Sequence, residues 1–190
     1  MLCRRRSRGF TLIEAMVVVA IVGILAMLAV VAYRRWIRTS YLSEGEDMVS
    51  HIRQAEEAFL AENGGYLDVT GCLGAGCSYP AQHPGTMKTA WGGACGWCKN
   101  PVTGWNGLTV QSNAPVIFGY SVIADQKVSP ATRVGSITVN GKALDYSAMG
   151  NGAPWYFVEA DANLSGDGLN FTHVYGMSGT NQLYVDGEGN

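Results

Sequence analysis

An apolar run near the start of the chain constrains the fold more than any other feature. Ala15–Tyr33 contains 19 residues without a formal charge, enough for a helix rising about 1.5 Å per residue to cross a bilayer once. Gly9 and a short segment separate this run from four arginines: Arg4, Arg5, Arg6 and Arg8. A secretory signal carries its cleavage site after the apolar stretch, whereas cleavage after Gly9 would leave the apolar helix on the mature chain. The arginines predict a cytoplasmic N-terminus and export of the rest.

The segment that joins the arginines to the apolar run reads Gly9-Phe-Thr-Leu-Ile-Glu14 and continues as Ala15-Met-Val-Val-Val-Ala-Ile-Val-Gly-Ile-Leu-Ala26. This combination resembles the class III signal of type IV pilins and pseudopilins. The resemblance implies that a membrane-embedded prepilin peptidase cuts after Gly9 and methylates the new amine of Phe10. A generic single-pass anchor is the alternative, but it gives no reason for a carboxylate directly at the start of the apolar run.

Glu14 is an acid that directly precedes that run and follows the apolar residues Leu12 and Ile13. A carboxylate at the bilayer centre costs about 2.5–3.5 kcal/mol on insertion scales, so such residues usually face a partner. After cleavage, the amine of Phe10 would lie four residues away, at a spacing that allows pairing within one helix. The resemblance implies instead that Glu14 meets the amine of a neighbouring subunit, which would fix the stagger between adjacent helices. An interfacial Glu14 that reaches the lipid headgroups is the alternative.

Charge argues against a nucleic-acid partner. The formal charge of −2 becomes −6 once the four leader arginines are removed, because nine basic residues then face 15 acidic ones. A nucleic-acid binder shows the opposite balance, although DNA uptake through a pilus stays open. Arg34, Arg35 and Arg38 form a basic cluster directly after the apolar run. We assign this cluster to the membrane or to contacts between subunits.

The helix is predicted to continue beyond the membrane. Between Arg34 and Glu62 there is no proline, and Gly45 is the only breaker. Apolar residues recur there at helical spacing: Met48, Ile52, Ala55 and Phe59. The charged residues fall largely off that stripe: Arg53, Glu56, Glu57 and Glu62. Asn63-Gly64-Gly65 predicts the end of a helix of about 50 residues.

The rest of the chain is rich in short β-type runs separated by Gly, Asn and Pro. The predicted strands are Val116–Ala124, Val134–Val139, Trp155–Ala160, Phe171–Met177 and Gln182–Val185. Asn140-Gly141 predicts a tight turn. The spacing indicates an antiparallel sheet, against which the helical stripe would pack. We therefore predict an α+β fold of ladle shape, with a long N-terminal helix whose first half is transmembrane.

These elements divide the chain into four parts. Residues 1–9 are the leader, 10–33 the transmembrane and filament-core helix, 34–63 its amphipathic continuation, and 64–190 a β-rich globular head. A composition of 47% hydrophobic and 15% charged residues fits one globular domain with one membrane helix.

Four cysteines lie in the glycine- and tryptophan-rich loop 66–115, and a fifth, Cys3, lies in the leader. The four are Cys72, Cys77, Cys95 and Cys98. A loop of this length without secondary structure is improbable unless covalent cross-links hold it together. An even number of cysteines in an exported segment predicts two disulfides, and three pairings of the four cysteines are possible. The spacing also resembles a zinc ribbon, and C-x-x-C can be redox-active. We favour structural disulfides because export places the loop in an oxidising compartment.

No motif indicates catalysis. The three histidines, His51, His83 and His173, show no recognisable catalytic spacing, so we predict that the chain is not an enzyme.

One late turn resembles the first half of a calcium loop, with oxygen-bearing side chains at alternate positions: Asp161, Asn163, Ser165 and Asp167. The closing acid is missing, because Thr172 would stand at position twelve. Calcium is therefore a hypothesis beside a simple solvated turn, and no other cofactor is predicted.

Within the superfamily the chain is most like a type IVa minor pilin. Type IVa major pilins usually have a proline where this chain has Val30-Val31, and Glu14 excludes the tip pseudopilin that lacks the acid. The resemblance implies a low-abundance subunit that initiates or caps a filament used for motility, adhesion or DNA uptake. A major pilin of unusual sequence, a type II secretion pseudopilin and a membrane-anchored surface adhesin are the alternatives.

The resemblance also implies partners and a location. The partners are other major and minor pilins, the prepilin peptidase, an inner-membrane assembly platform and a tip adhesin. The subunit would cross the inner membrane once, with a cytoplasmic N-terminus, and then enter a periplasmic or extracellular pilus.

Overall fold

One long helix dominates the N-terminal third of the chain. A computed structural model describes residues 11–74, 76–92, 95–100, 104–150 and 152–187. Helix α1 (Leu12–Asn63) contains 52 residues, and Gly64, at φ 74°, ends it by donating its N–H to the Leu60 carbonyl at 2.8 Å. The predicted helix and its glycine stop are confirmed. The chain forms two compact units, residues 1–39 and 40–190.

In the first unit, the apolar half of α1 is exposed on every side. The side chains from Thr11 to Trp36 are all solvent-exposed, and α1 is the one helix in the described ranges that is long and apolar enough to cross a membrane. Its backbone bonds are satisfied within the helix, which a bilayer requires of a spanning segment. Gly9 and Phe10 lie outside the described residues.

In the second unit, one stripe of α1 is buried. It consists of Leu42, Gly45, Met48, Val49, Ile52 and Glu56. Met48 and Ile52 were predicted on this stripe, and Ala55 and Phe59 pack at its margin, partly buried. The prediction that Glu56 lies off the stripe was wrong, because its side chain is fully buried.

The stripe packs on a four-stranded antiparallel sheet in the order β1-β4-β5-β6. Its strands are β1 (Gly119–Asp125), β4 (Trp155–Ala162), β5 (Thr172–Met177) and β6 (Tyr184–Asp186). Gly176 lets the helix approach, since a Cβ there would lie only 2.8 Å from Cγ1 of Val49. The α+β class, with a long helix on an antiparallel sheet, is confirmed.

The remaining elements are short. They are α2 (Gly104–Gly107), α3 (Pro130–Val134), β2 (Thr138–Val139), β3 (Lys142–Ala143) and a 3₁₀ turn at Ser147–Met149. The Asn140-Gly141 turn between β2 and β3 is confirmed, with φ of 49° and 78°, as a two-residue hairpin requires.

Part of one predicted strand is a helix. The run Val134–Val139 was predicted as β, but Val134 ends α3, and only Thr138 and Val139 are strand. The Ser129 hydroxyl accepts the N–H of Thr132 at 3.4 Å, and Pro130 occupies the first turn. This cap and a proline pre-set for a helical φ favour helix over strand.

Strand β4 is buried on both faces. Tyr156, Val158 and Ala160 belong to the core beneath α1, whereas Trp155 and Phe157 belong to a second cluster on the opposite face. Residues between β1 and β4 cover that second face: Val134, Ile137, Val139, Leu144, Tyr146 and Met149. The sheet is therefore the middle layer of the head.

Loop 66–115 covers the free edge of β1. Thr70 donates its N–H to the Val122 carbonyl at 3.0 Å, and Tyr79 and Tyr120 exchange two backbone bonds of 2.9 and 2.7 Å. Unpaired edge strands invite association with other chains. The loop removes that hazard along this edge.

Aromatic packing organises the same loop. The Tyr79 ring lies 5.1 Å from Trp91 and 5.7 Å from Trp105, measured between centroids, and Trp91 lies 5.8 Å from Tyr120. Trp105 is buried. Trp91 and Trp105 therefore join the loop to the core through aromatic contacts.

The cysteines form two local bridges, Cys72–Cys77 and Cys95–Cys98. Of the three pairings that the sequence left open, the structure has the one between neighbours. With both pairs bridged, these residues offer no thiolate as a zinc ligand.

We expect removal of the second bridge to destabilise the head only moderately. Cys95→Ser/Cys98→Ser opens a closure of three residues, for which chain entropy gives about 2 kcal/mol. Urea unfolding of the detergent-solubilised chain measures this loss, and limited proteolysis should find loop 66–115 more sensitive. Cys3→Ser, in the leader, should change neither result. Four alkylatable thiols besides Cys3 in the unreduced wild type, together with stoichiometric zinc, would contradict the bridges.

Candidate assembly site in the N-terminal helix

The Glu14 carboxylate is held at the start of α1 by Thr11. The N–H of Glu14 donates to the Thr11 hydroxyl at 3.3 Å, and that hydroxyl donates to Oε2 of Glu14 at 3.4 Å. Thr11 thus acts as the N-cap, and Glu14 reaches back to it in a variant of the capping box. A carboxylate in the first turn also interacts favourably with the helix dipole.

Sequence reasoning missed this role of Thr11. The sequence contains the signal for this cap, since Thr11-Leu-Ile-Glu14 has the spacing of a capping box. The partners predicted for Glu14 were an amine or the lipid headgroups, and Thr11 was not among them. The geometry shows that one helix alone can hold the carboxylate in position. Pairing of Glu14 with an amine of Phe10 stays a prediction, because Phe10 is outside the described residues.

The surface beside Glu14 is apolar, and no described residue of this unit covers it. Leu12, Ala15, Met16, Val19 and Ala20 line one face of the helix next to it. Leu12 is 79% exposed and Met16 64%. An exposed apolar face of this extent marks a contact with a membrane or another protein. The site therefore combines one carboxylate with an apolar helix surface that lipid or another subunit would bury.

Glu56 is an acidic residue of α1 whose side chain is fully buried. Its Oε2 accepts the N–H of Leu67 at 2.9 Å, whereas Oε1 is buried without a hydrogen-bond partner among the described atoms. Burial raises the pKa of Glu56 to about 8, the Leu67 N–H opposes this, and the Asp68 and Glu57 carboxylates add to it. The helix therefore meets loop 66–115 through a carboxyl group that favours its neutral form.

A second acidic group lies on the far face of the sheet. His173 Nδ1 is 3.1 Å from Glu159 Oε1, and Asp161 accepts the hydroxyl of Ser78. Burial raises the pKa of Asp161 to about 7, against the Ser78 hydrogen bond. Burial alone would lower the pKa of His173, but Glu159 and the other nearby carboxylates raise it overall. His173 is thus the ion-pair partner of Glu159 on the neighbouring strand.

The other histidines lie on the surface. His51 on α1 and His83 in loop 66–115 are both exposed, and neither shares a hydrogen bond with His173 in the described parts of the chain.

The residues of the calcium hypothesis are already hydrogen-bonded within the protein, and two of them bond to each other: the Ser165 hydroxyl donates to Asn163 Oδ1 at 3.0 Å. Asp161 points to Ser78, while Asn163 Oδ1 accepts the N–H of Gly166 at 2.8 Å. Asp167 accepts the N–H groups of Leu169 and Asn170 at 2.9 Å each, and these bonds, that of Asn170 first, lower the pKa of Asp167. Within the described ranges no cluster of three His, Cys, Asp or Glu side chains could hold a metal. Calcium binding stays a hypothesis.

Comparison with known proteins identifies the family. Residues 4–30 match the family described as the prokaryotic N-terminal methylation motif. A fimbrial protein of Dichelobacter nodosus is 36% identical over an alignment of 133 residues, which covers 65% of this chain and 82% of that protein. The chain belongs to the type IV pilin superfamily. This pilin is a structural subunit, anchored in a membrane by its apolar helix and then located in a pilus.

Two further relatives match over shorter stretches. The type IV major pilin protein PilA of Myxococcus xanthus (strain DK1622) is 39% identical over 69 residues, 36% of this pilin and 31% of its own length. A type IV major fimbrial protein FimA of Dichelobacter nodosus is 48% identical over 47 residues, 25% and 29% of the two chains. Both matches span less than a third of the relative. No solved structure matches the chain significantly.

Proposed function

We propose that this pilin is a minor subunit that initiates or caps a type IV pilus. The supporting observation is the unbroken α1, which runs through Val30 and Val31, where type IVa major pilins usually have a proline. A proline inside a helix removes a backbone bond and bends the helix. A subunit without that bend differs in its helix from the major subunits that repeat along the shaft, and this difference supports a separate position in the filament.

A major-subunit role is the second candidate, and the names of relatives favour it. The Myxococcus xanthus relative and the FimA relative are both described as major pilus proteins. Their matches cover 31% and 29% of their own lengths, so most of each relative is left uncompared.

Assembly, in this proposal, runs through the N-terminal site. The prepilin peptidase removes residues 1–9, and the assembly platform lifts helix 10–33 from the inner membrane into the filament core. There Glu14 meets the amine of Phe10 on a neighbouring pilin, and the apolar surfaces of adjacent helices cover one another. The amphipathic part 34–63 and head 64–190 then face outward, where a tip adhesin or other minor pilins bind.

Subunit counting separates the two candidates. Filaments sheared from cells that express the chain are quantified by mass spectrometry with isotope-labelled peptides from the head. A minor subunit predicts a small fraction of the total pilin, together with fewer filaments per cell when its gene is deleted. A filament made mainly of this chain would contradict the minor role and leave the major role in place.

A further inference from the structure

The last turns of α1 in the first unit have two chemically different sides. Tyr33, Trp36 and Ile37 lie within roughly 100° of each other around the helix, at 3.6 residues per turn. Tyr33 and Trp36 are 61% and 68% exposed, and their ring centroids are 6.5 Å apart. They form one aromatic and apolar side, which we call the aromatic side.

The opposite side is basic. By the same helical repeat, Arg34 points about 110° away from the centre of the aromatic side, and Arg35 and Arg38 each point about 150° away from it. Arg34 and Arg35 are exposed. No acidic residue occurs between Ala15 and Ser43, so this stretch carries three positive charges and no acid.

The position of this amphipathic segment fits a membrane interface. The uncharged run Ala15–Tyr33 spans roughly 28 Å at 1.5 Å per residue, close to the 30 Å hydrocarbon thickness of a bilayer. The segment therefore begins where the hydrocarbon ends. Tyr and Trp concentrate at that depth because each joins an apolar ring to a polar group, and arginines there extend to the headgroups.

We propose that residues 33–38 form a lipid-binding belt that holds anionic phospholipid headgroups before the subunit leaves the membrane. The aromatic side faces the acyl chains, and Arg34 and Arg35 face the lipid phosphates. These phosphates supply the negative charge that the segment itself lacks, since no acidic residue occurs between Ala15 and Ser43. The inference needs only the membrane anchoring of this pilin, and it is independent of the minor or major role.

The belt has a consequence for assembly. Each arginine at an anionic surface strengthens attachment by about fivefold, and extraction into a filament must break that attachment. Lipid composition would thus set how readily this subunit is extracted, and added salt would weaken the belt through screening.

Quenching by brominated lipids tests the belt. The full chain is reconstituted in phosphatidylcholine–phosphatidylglycerol vesicles in which one lipid or the other is brominated. We expect most of the quenched tryptophan emission to disappear in Trp36→Phe and to persist in Trp97→Phe, a matched change at a half-exposed head residue. We also expect brominated phosphatidylglycerol to quench Trp36 at two- to fivefold lower mole fraction than brominated phosphatidylcholine.

Charge variants complete the test. Arg34→Gln/Arg35→Gln should abolish the preference for phosphatidylglycerol, whereas Lys127→Gln/Lys142→Gln, the same charge change at exposed head positions, should keep it. An unquenched Trp36, equal quenching by the two lipids, or a preference that survives Arg34→Gln/Arg35→Gln would each overturn the belt. Loss of Arg34→Gln/Arg35→Gln subunits from filaments, with unchanged lipid preference, would assign the cluster to contacts between subunits instead.

Discussion

Glu14→Ala should insert into the membrane as well as the wild type and yet be at least about tenfold depleted in filaments. Insertion becomes easier because the cost of placing a carboxylate near the apolar run disappears. In the filament, however, the amine of a neighbouring subunit would lose its partner. Leaving one member of a buried ion pair alone costs roughly 3–5 kcal/mol, or more than a hundredfold in an equilibrium constant, so even a half-solvated pair predicts a tenfold effect.

The experiment compares the membrane fraction with sheared filaments for each variant. Asp47→Ala is the matched control, because it removes one negative charge from an exposed position of the same helix and should enter filaments normally. Equal incorporation of Glu14→Ala and wild type would remove the registry role of Glu14. The remaining functions of its carboxylate would then be the Thr11 cap and the helix dipole.

Glu56→Gln should stabilise the head strongly at alkaline pH and hardly at all at pH 4. The pKa of Glu56 rises from 4.5 to about 8 in the folded chain, which at 1.36 kcal/mol per pKa unit amounts to roughly 3–5 kcal/mol. The pKa of Glu56 is higher in the folded chain than in the unfolded chain. The stabilising contribution of its carboxyl group to the free energy of unfolding is therefore complete below pH 4.5 and is lost as the pH rises through about 8. Glutamine keeps an acceptor for the Leu67 N–H and carries no charge to bury.

Urea unfolding of the detergent-solubilised chain between pH 4 and pH 9 measures this effect. Other groups also titrate in this range, so the difference between wild type and Glu56→Gln isolates the one carboxyl group. Glu62→Gln, at an exposed position of the same helix, should leave the pH profile unchanged. Parallel profiles for wild type and Glu56→Gln would show that the Glu56 carboxylate is solvated or paired in the folded chain.

The features that the sequence predicted well depend on local patterns. The span of α1 followed from an apolar run, a helical stripe without proline and the Asn63-Gly64-Gly65 stop. The sheet followed from spaced β-type runs, and the β2–β3 turn from Asn140-Gly141. Each of these signals acts within a few residues, so one sequence is enough to detect it.

The features that it missed depend on contacts or on competing local rules. Helical spacing places Glu56 on the buried stripe, four residues after Ile52, although its charge argued for the exposed side. The sequence does not show the Leu67 N–H that the Glu56 carboxyl group accepts once loop 66–115 folds back on α1. Val134, the predicted start of a strand, is the last residue of α3 instead. The Ser129 cap and Pro130 favour a helix there more strongly than the β-propensity of Val134 favours a strand. The pairing of the cysteines required the path of the loop, since composition leaves all three connectivities equal.

The central claim is that this chain is a processed pilin that assembles through its N-terminal helix. Mass spectrometry of the N-terminal peptide of the chain, taken from sheared filaments, tests it most directly. We predict a peptide that begins at N-methylated Phe10, after cleavage at Gly9. An intact Met1 in the surface fraction, or a mature chain that begins beyond Tyr33, would contradict the claim.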